Sequence, residues 1–316
     1  MSSPWLAEFD ITEQLVRQLL DEQFPEFAGK PLHLLGEGWD NAAWQIGDDW
    51  VFRFPRRQMG ADLIASEFAV VPAIADRLTA AVACPRRIGQ PTVDFPWPFG
   101  GYPLISGAEL CQAAPAANQR LALAEELGDF LRSLHSVSAE EALQLGAPRD
   151  MLGRLDIERR SYQAREYLAK AAALRIIDSA ACWEKLLDHL GPLCKPPGTD
   201  CLVHGDLYSR HLIVKSPEAA SDGTGGDVAR LAGIIDWGDL HAGDPSVDLA
   251  CAWSLFDVAG RRRLFHRYGE VPEETRALSR LRAISHSSVC VVYGREGNLP
   301  ALEQASKDAL FWLLED

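Results

Sequence analysis

Two aspartates thirty residues apart carry the clearest chemical signal in this sequence. The run L-V-H-G-D-L-Y-S-R-H-L-I-V sets His204, Gly205 and Asp206 in a short polar break between two apolar segments. The run L-A-G-I-I-D-W-G-D then ends a further apolar segment on Asp236. If the segments starting at His211 and ending at Asp236 pair as a hairpin, the open end of that hairpin carries both residues beside Asp206. Converging carboxylates oppose each other's ionisation, and a buried charge needs a partner, so a divalent cation would relieve the arrangement. Phosphoryl transfer uses such a pair, one Asp orienting the attacking hydroxyl and a second binding the metal. The same residues also admit a hydrolase reading, with His204, Asp206, His211 and Asp236 as a His/Asp metal cluster.

The N-terminal third supplies what phosphoryl transfer needs and a hydrolase does not. In G-E-G-W-D-N, the turn from Gly36 through Gly38 to Asn41 lets backbone N–H groups approach phosphate oxygens. In V-F-R-F-P the alternation sends Phe52 and Phe54 one way and Val51 and Arg53 the other, which turns Arg53 toward a cleft. Glu67, in the following helical run A-S-E-F-A-V-V-P, is spaced to pair with that arginine and hold it.

Positioning these groups requires a particular set of elements. Thr12 precedes Leu15, Val16, Leu19 and Leu20 at helical spacing, with Pro25 and Gly29 as stops. Runs 32–35, 42–46 and 50–54 read as a three-strand meander, 63–78 as a helix, and 86–88 and 102–105 as further strands. P-W-P-F-G-G-Y-P reads as a loop. Past Gly107 the pattern is helical, with an apolar stripe from Leu121 to Val137 and helices within 156–190, 246–268 and 273–292. Strands at 201–203, 211–214 and 231–235 interrupt it. Asp244 and Asp248 read as residues that cap a helix and tie it to the Asp206 loop, and His204 as a brace for that loop. The insert S-P-E-A-A-S-D-G-T-G-G-D reads as a surface loop, and a boundary falls near residues 105–107.

Composition narrows the class. The chain has 316 residues, 47% hydrophobic and 24% charged, with a net charge of −14. That is ordinary globular usage, and it argues against a nucleic-acid partner, whose phosphates need a basic surface. Seven cysteines at 84, 111, 182, 194, 201, 251 and 290, with no C-x-x-C pair, read as reduced core thiols. The N-terminus lacks a basic and apolar leader, and no long uninterrupted apolar window occurs, so a cytoplasmic protein without a membrane partner is expected, with a monomer favoured.

In sum of its motifs the chain resembles the aminoglycoside phosphotransferase family, small-molecule kinases with the two lobes of protein kinases. The resemblance runs from G-E-G-W-D-N through W-V-F-R-F-P-R-R and H-G-D-L-Y-S-R-H to I-D-W-G-D and G-D-P-S-V-D-L-A. It implies an α+β fold, with a small N-terminal sheet lobe over 1–105 and a larger helical lobe over 106–316. It also implies transfer of the γ-phosphoryl group of ATP or GTP, with Mg2+ or Mn2+, to a hydroxyl of a small, antibiotic-like molecule. Asp206 falls on the catalytic aspartate, Asp236 on the metal ligand, and Arg53 with Glu67 on the nucleotide-anchoring pair. Residues 102–107, Ile105 among them, fall on the hinge that meets the base. The family usually has Lys at Arg53 and Asn at His211. A guanidinium is broader than an ammonium, which implies altered nucleotide geometry or slower turnover rather than inactivity. An imidazole suits magnesium less well than an oxygen does, which leaves His211 as a ligand for a softer metal, a phosphate contact or a packing residue. A nucleotide-binding module without transfer is the alternative implied by these two departures.

Overall fold

The computed structural model describes residues 7–38, 40–190, 200–215 and 229–315. The insert expected as a surface loop, and Cys194, lie outside the described residues. Thr12 Oγ1 accepts from Leu15 N at 3.2 Å and starts α1 (Glu13–Gln23). The meander follows as β1 (Leu32–Glu37), β2 (Asn41–Ile46) and β3 (Trp50–Pro55). α2 (Gln58–Ile74) crosses behind it, and β4 (Arg87–Gly89) and β5 (Phe99–Pro103) complete an antiparallel sheet ordered β1-β2-β3-β5-β4. The inner face of β3 buries Phe52 and Phe54 with Phe24, Phe27, Phe95 and Phe99. The alternation along V-F-R-F-P thus puts two rings in the core and leaves Arg53 on the opposite face.

Two boundaries depart from expectation. α2 begins at Gln58 rather than Leu63, because Gln58 is held at both ends. Its amide meets the Glu8 carboxylate at 3.4 Å, and its side chain donates to Asp62 Oδ1 at 2.8 Å. β5 runs through the stretch read as a loop, and Ile105 lies beyond its end. Gly100 and Gly101 permit this strand, since a Cβ there would come within 2.6 Å of the Phe68 ring and 2.5 Å of the Phe52 ring. Glycine here clears room for core aromatics instead of marking a turn.

The rest of the chain is mainly helical. It contains β6 (Ala108–Glu109), α3 (Leu110–Ala113), α4 (Arg120–Leu134), α5 (Ala139–Leu145), α6 (Ile157–Ala173) and α7 (Ala181–Leu190). Next come β7 (Cys201–Val203), β8 (Leu212–Lys215), β9 (Arg230–Ile234) and β10 (His241–Gly243). The chain then continues through α8 (Ser246–Leu249), α9 (Cys251–Ser254), α10 (Val258–Tyr268), α11 (Glu273–Glu296) and α12 (Pro300–Trp312). β8 and β9 form the expected hairpin, with Leu212 opposite Ile234, so His211 and Ile235–Asp236 sit at one end of it. β7 pairs with β10, which brings Val203 opposite His241. The apolar face of α4, with Leu123, Leu127, Phe130 and Leu134 fully buried, packs in the core beneath these hairpins. Extended to Arg77, α2 is long and apolar enough by mean hydropathy to cross a bilayer. In the fold it carries the buried Glu67 to the site instead.

Candidate active site

β7 ends in a tight loop whose shape is imposed by a buried carboxylate. Asp248, on α8 and fully buried, accepts from the amides of His204 (2.7 Å) and Gly205 (2.9 Å) and meets His135 Nε2 at 3.2 Å. Burial opposes its charge, but the His135 contact and those amides hold its pKa below the ordinary value. Gly205 has φ +88°, and a Cβ there would lie 2.2 Å from the Asp239 carbonyl oxygen, so only glycine admits this turn. Asp248 thus ties its helix to the Asp206 loop, as the sequence suggests. Asp244 accepts from Ser246 N at 2.9 Å at the start of α8.

His204 braces the loop through both ring nitrogens. Nε2 donates to the Ile235 carbonyl at 3.0 Å, and Nδ1 accepts from the Asp206 amide at 3.3 Å. Burial lowers its pKa and keeps the ring neutral, which that bonding requires. His204 is therefore not available as a metal ligand, and the four-residue cluster of the hydrolase reading does not assemble. Among the described residues no group of three His, Cys, Asp or Glu side chains is arranged to hold a metal unaided.

Asp206, Asp236 and His211 do meet. The His211 Nδ1–H donates to the Asp206 carbonyl at 2.7 Å, while Nε2 lies 3.4 Å from Asp236 Oδ2. Asp236 itself has φ +63°, a left-handed backbone that an Asp tolerates better than most residues and that recurs at functional sites. Its other oxygen, Oδ1, is 2.5 Å from Arg53 Nη2, and Arg53 Nη1 is 2.9 Å from Glu67 Oε2. Glu67 is fully buried and Arg53 only 12% exposed, so this is no loose surface pair. Burial works against the guanidinium charge, but Asp236 and Glu67 outweigh it and raise the Arg53 pKa. Burial likewise disfavours the Asp236 charge, and Arg53 with His211 more than offsets it.

The glycine turn between β1 and β2 takes a form only partly foreseen. Nothing lies within 4 Å of a Cβ built on Gly36, and Gly38 is nearly as open, so both leave space beside the backbone. The Gly38 amide, however, donates to the Asn41 carbonyl at 2.8 Å and closes the turn on itself. The two arginines after β3 hold it in place. Arg56 donates to the Gly38 carbonyl at 3.1 Å, and Arg57 bonds Asp40 Oδ1 at 2.7 Å. The buried Asn41 Oδ1 lacks a hydrogen-bond partner among the described residues. Ile105 is half-buried beyond β5 and packs against Gly233 of β9, where the chain crosses to the helical lobe.

Four residues at the site escape the sequence reading. Arg154 donates to the Gly205 carbonyl (2.8 Å) and pairs with Asp239 (2.8 Å) and Asp150 (3.4 Å), locking the Asp206 loop from below. His286 Nε2 stands 3.2 Å from Asp206 Oδ1, and Arg282 Nη2 is 4.0 Å from the same oxygen. Tyr208 lies edge-on to both His211 and His286, with ring centroids 4.4 and 5.0 Å away. Burial favours a neutral His286, but Cys290 and Asp206 raise its pKa to about 9. Burial also disfavours the Asp206 charge, yet His286, His211 and Arg282 hold its pKa well below the usual carboxylate range. The missed signal is Arg282, His286 and Cys290 at i, i+4 and i+8 on one helix face. Asp239 and His241 also belong to this brace. Asp239 pairs with Arg154, and His241 Nδ1 donates to the Asp239 carbonyl at 2.8 Å.

Known proteins share this architecture. A structure of the GDP and kanamycin complex of APH(2")-IIia matches with a TM-score of 0.65 at 23% identity, covering 94% of this chain and 96% of that one. The macrolide 2'-phosphotransferase MphH from Brachybacterium faecium, as apoenzyme, matches with a TM-score of 0.56 at 22% identity, covering 93% and 97%. The uncharacterized protein YcbJ of Bacillus subtilis (strain 168) is 25% identical over 240 residues, 71% of this chain and 69% of its own length. These structures establish the two-lobed α+β kinase-like fold. A model of the phosphotransferase enzyme family matches residues 32–284, a span that holds the glycine turn, Arg53, Glu67, Asp206, His211 and Asp236. With most of its length inside that span, the chain belongs to the phosphotransferase enzyme family and is a small-molecule kinase.

Proposed function

We propose that this enzyme transfers the γ-phosphoryl group of ATP or GTP to a hydroxyl of a small molecule, with Asp206 orienting the hydroxyl and Asp236 holding a divalent cation. The observation that carries the reading is the meeting of Asp206, His211 and Asp236, with Arg53 bridging Asp236 to the buried Glu67. Residues 1–105 bind the nucleotide and 106–316 supply the catalytic loop and the acceptor site. Related structures hold GDP, and one holds ATP, which supports a nucleotide donor of either base. Kanamycin, gentamicin and streptomycin in such structures support a hydroxylated small molecule as the acceptor. Six cysteines among the described residues are free thiols, as a cytoplasmic location favours.

Asp236 and His211 are the residues that would hold a divalent cation, the Asp236 oxygen suiting Mg2+ and the His211 nitrogen suiting Mn2+ or another softer ion. When bound, the metal would supply charge neutralisation at the transferring phosphates. Arg53 then serves the phosphates with one arm of its guanidinium while Glu67 keeps the other. The Gly36–Asn41 turn covers the phosphates, Asn41 among its residues, and Ile105 with the hinge meets the base. The acceptor hydroxyl hydrogen-bonds Asp206. As its oxygen bonds to Pγ, the bond from Pγ to the bridging β–γ oxygen breaks and nucleoside diphosphate leaves. The hydroxyl proton passes to Asp206. Because Asp206 is a weak base, its main work is alignment, with proton transfer late, as suits a loose phosphoryl transition state.

The test is nucleotide binding followed by turnover. ATP or GTP with Mg2+ or Mn2+ should raise Tm in the wild type, and Asp236→Asn should remove the metal dependence of that shift. Failure of both nucleotides to shift Tm rejects the reading.

A further inference from the structure

The α6 and α11 side of Asp206 holds more positive than negative charge. Three carboxylates face it. Asp150 and Asp239 are both taken by Arg154, and Asp206 is taken by His286. Arg282 is left with Asp206 Oδ1 at 4.0 Å, beyond hydrogen-bond reach, and donates no hydrogen bond among the described residues. Its side chain is nine-tenths buried at 10% exposure. Arg160, on α6, directs its donors to the carbonyls of Leu152 (2.6 Å) and Gly153 (2.9 Å) and to Gln163 (2.9 Å), and to no carboxylate. Burial and the nearby Arg282 push the Arg160 pKa down to about 10, and burial with Arg154 lowers that of Arg282. A guanidinium held nine-tenths out of water with no acceptor in hydrogen-bond reach is costly. That cost falls when an oxyanion arrives, and a planar fork suits carboxylate or phosphate oxygens.

We propose that the acceptor carries an anionic oxygen group, carboxylate or phosphate, near its reacting hydroxyl, and that Arg282 binds that group while Asp206 takes the hydroxyl. The inference rests on Asp206 being the residue that orients the acceptor. The same charges select against a polycation, which would meet Arg282 and a protonated His286 while Asp150 and Asp239 are paired with Arg154. The anion also draws His286 and Arg282 off Asp206 Oδ1, freeing that oxygen for the hydroxyl.

The test uses the full chain saturated with MgADP, so that the donor site is filled before any anion is added. Absence of a Tm rise with MgADP is a failure of the functional reading and is scored first. Inorganic phosphate, D-glycerate, glycerol and kanamycin are then titrated separately. Phosphate or glycerate is expected to raise Tm at a concentration at least tenfold lower than glycerol does, with no comparable rise from kanamycin; the stronger of the two distinguishes phosphate from carboxylate. Arg282→Gln should keep the MgADP shift and lose the anion shift by tenfold or more, and Arg282→Lys should restore part of it. If Arg282→Gln does not fold, Arg282→Lys carries the test alone and should keep the MgADP shift while weakening the anion shift. Equal responses to glycerol and both anions, no response to either anion, or an anion response unchanged by these substitutions overturns the proposal, as does a kanamycin response stronger than that of the anions.

Discussion

The two flanks of the Asp206–Asp236 pair are built on opposite electrostatic plans. Toward the N-terminal lobe the buried charges pair off, with Arg53 2.9 Å from Glu67 and 2.5 Å from Asp236. Toward α6 and α11 the cations outnumber the carboxylates free to meet them, and Arg282 stands 4.0 Å from its nearest one. The first flank is assembled before any ligand arrives, whereas the second is completed only by a ligand. A preassembled flank stabilises the fold and positions nucleotide. An incomplete flank gives up some stability to gain discrimination among acceptors.

The comparison breaks most sharply at the residue between the flanks. Asp206→Asn keeps the shape and most hydrogen bonds but cannot take the hydroxyl proton, so turnover should fall about a thousandfold, within the range general-base removal gives. Nucleotide-induced stabilisation should persist, measured as the Tm shift with MgATP or MgGTP. Turnover within tenfold of wild type would remove Asp206 from its role.

On the assembled flank, Glu67→Ala leaves the buried Arg53 guanidinium with Asp236 alone. Removing one partner of a buried ion pair costs about 3 kcal/mol, so chemical denaturation should show a loss of that order. The KM for nucleotide should rise together with it. Arg53→Lys is milder. An ammonium can pair with Glu67 or Asp236 but cannot span both as the fork does. Freed from Arg53, Asp236 should bind the cation more readily, so half-maximal activity should need several-fold less metal; an unchanged metal requirement would show that Arg53 does not restrain Asp236.

The assembled flank was also the legible one. Arg53, Glu67, His211 and Asp236 lie on or beside short strands and one helix whose periods are visible, and the β8–β9 hairpin follows from two apolar runs that can only bury themselves by pairing. The backbone of that flank was less legible. The alternation in V-F-R-F-P points Arg53 correctly, but nothing in G-E-G-W-D-N says that the Gly38 amide closes on Asn41, since a turn's internal bonds depend on its three-dimensional path. Nothing in the sequence marks Arg56 and Arg57 as the residues that pin that turn. The acceptor flank was nearly invisible. Arg282 and His286 belong to α11, almost eighty residues from the loop they face, and their spacing alone resembles a solvated helix face. Only packing shows that this face is buried, with Ser279, Ser285 and Ser288 also inside. The left-handed backbone at Asp236 carries no sequence mark, because Asp occupies many turns in many conformations.

His286 offers the smallest and most specific test of the difference between the flanks. Its pKa is about 9 in the folded protein against an ordinary 6.5. A raised folded pKa means that its contribution to stability is complete below about pH 6.5 and is lost as pH rises through about 9. Wild-type Tm should therefore fall by a few degrees, about the effect of 1 to 2 kcal/mol in a chain of this size, between those limits. His286→Gln should flatten the fall. Two neighbours share the cause, Cys290 with its sulfur 3.7 Å from the ring and Asp206 at 3.2 Å. Ring-proton NMR of Cys290→Ser separates them, and a midpoint that stays above 6.5 assigns the remainder to Asp206. In the presence of an anionic acceptor the same midpoint should move again, because an oxyanion on Arg282 changes the charge that His286 faces. A midpoint indifferent to glycerate and phosphate would mean that the cations of α11 serve Asp206 alone, and that the second flank is as complete without ligand as the first.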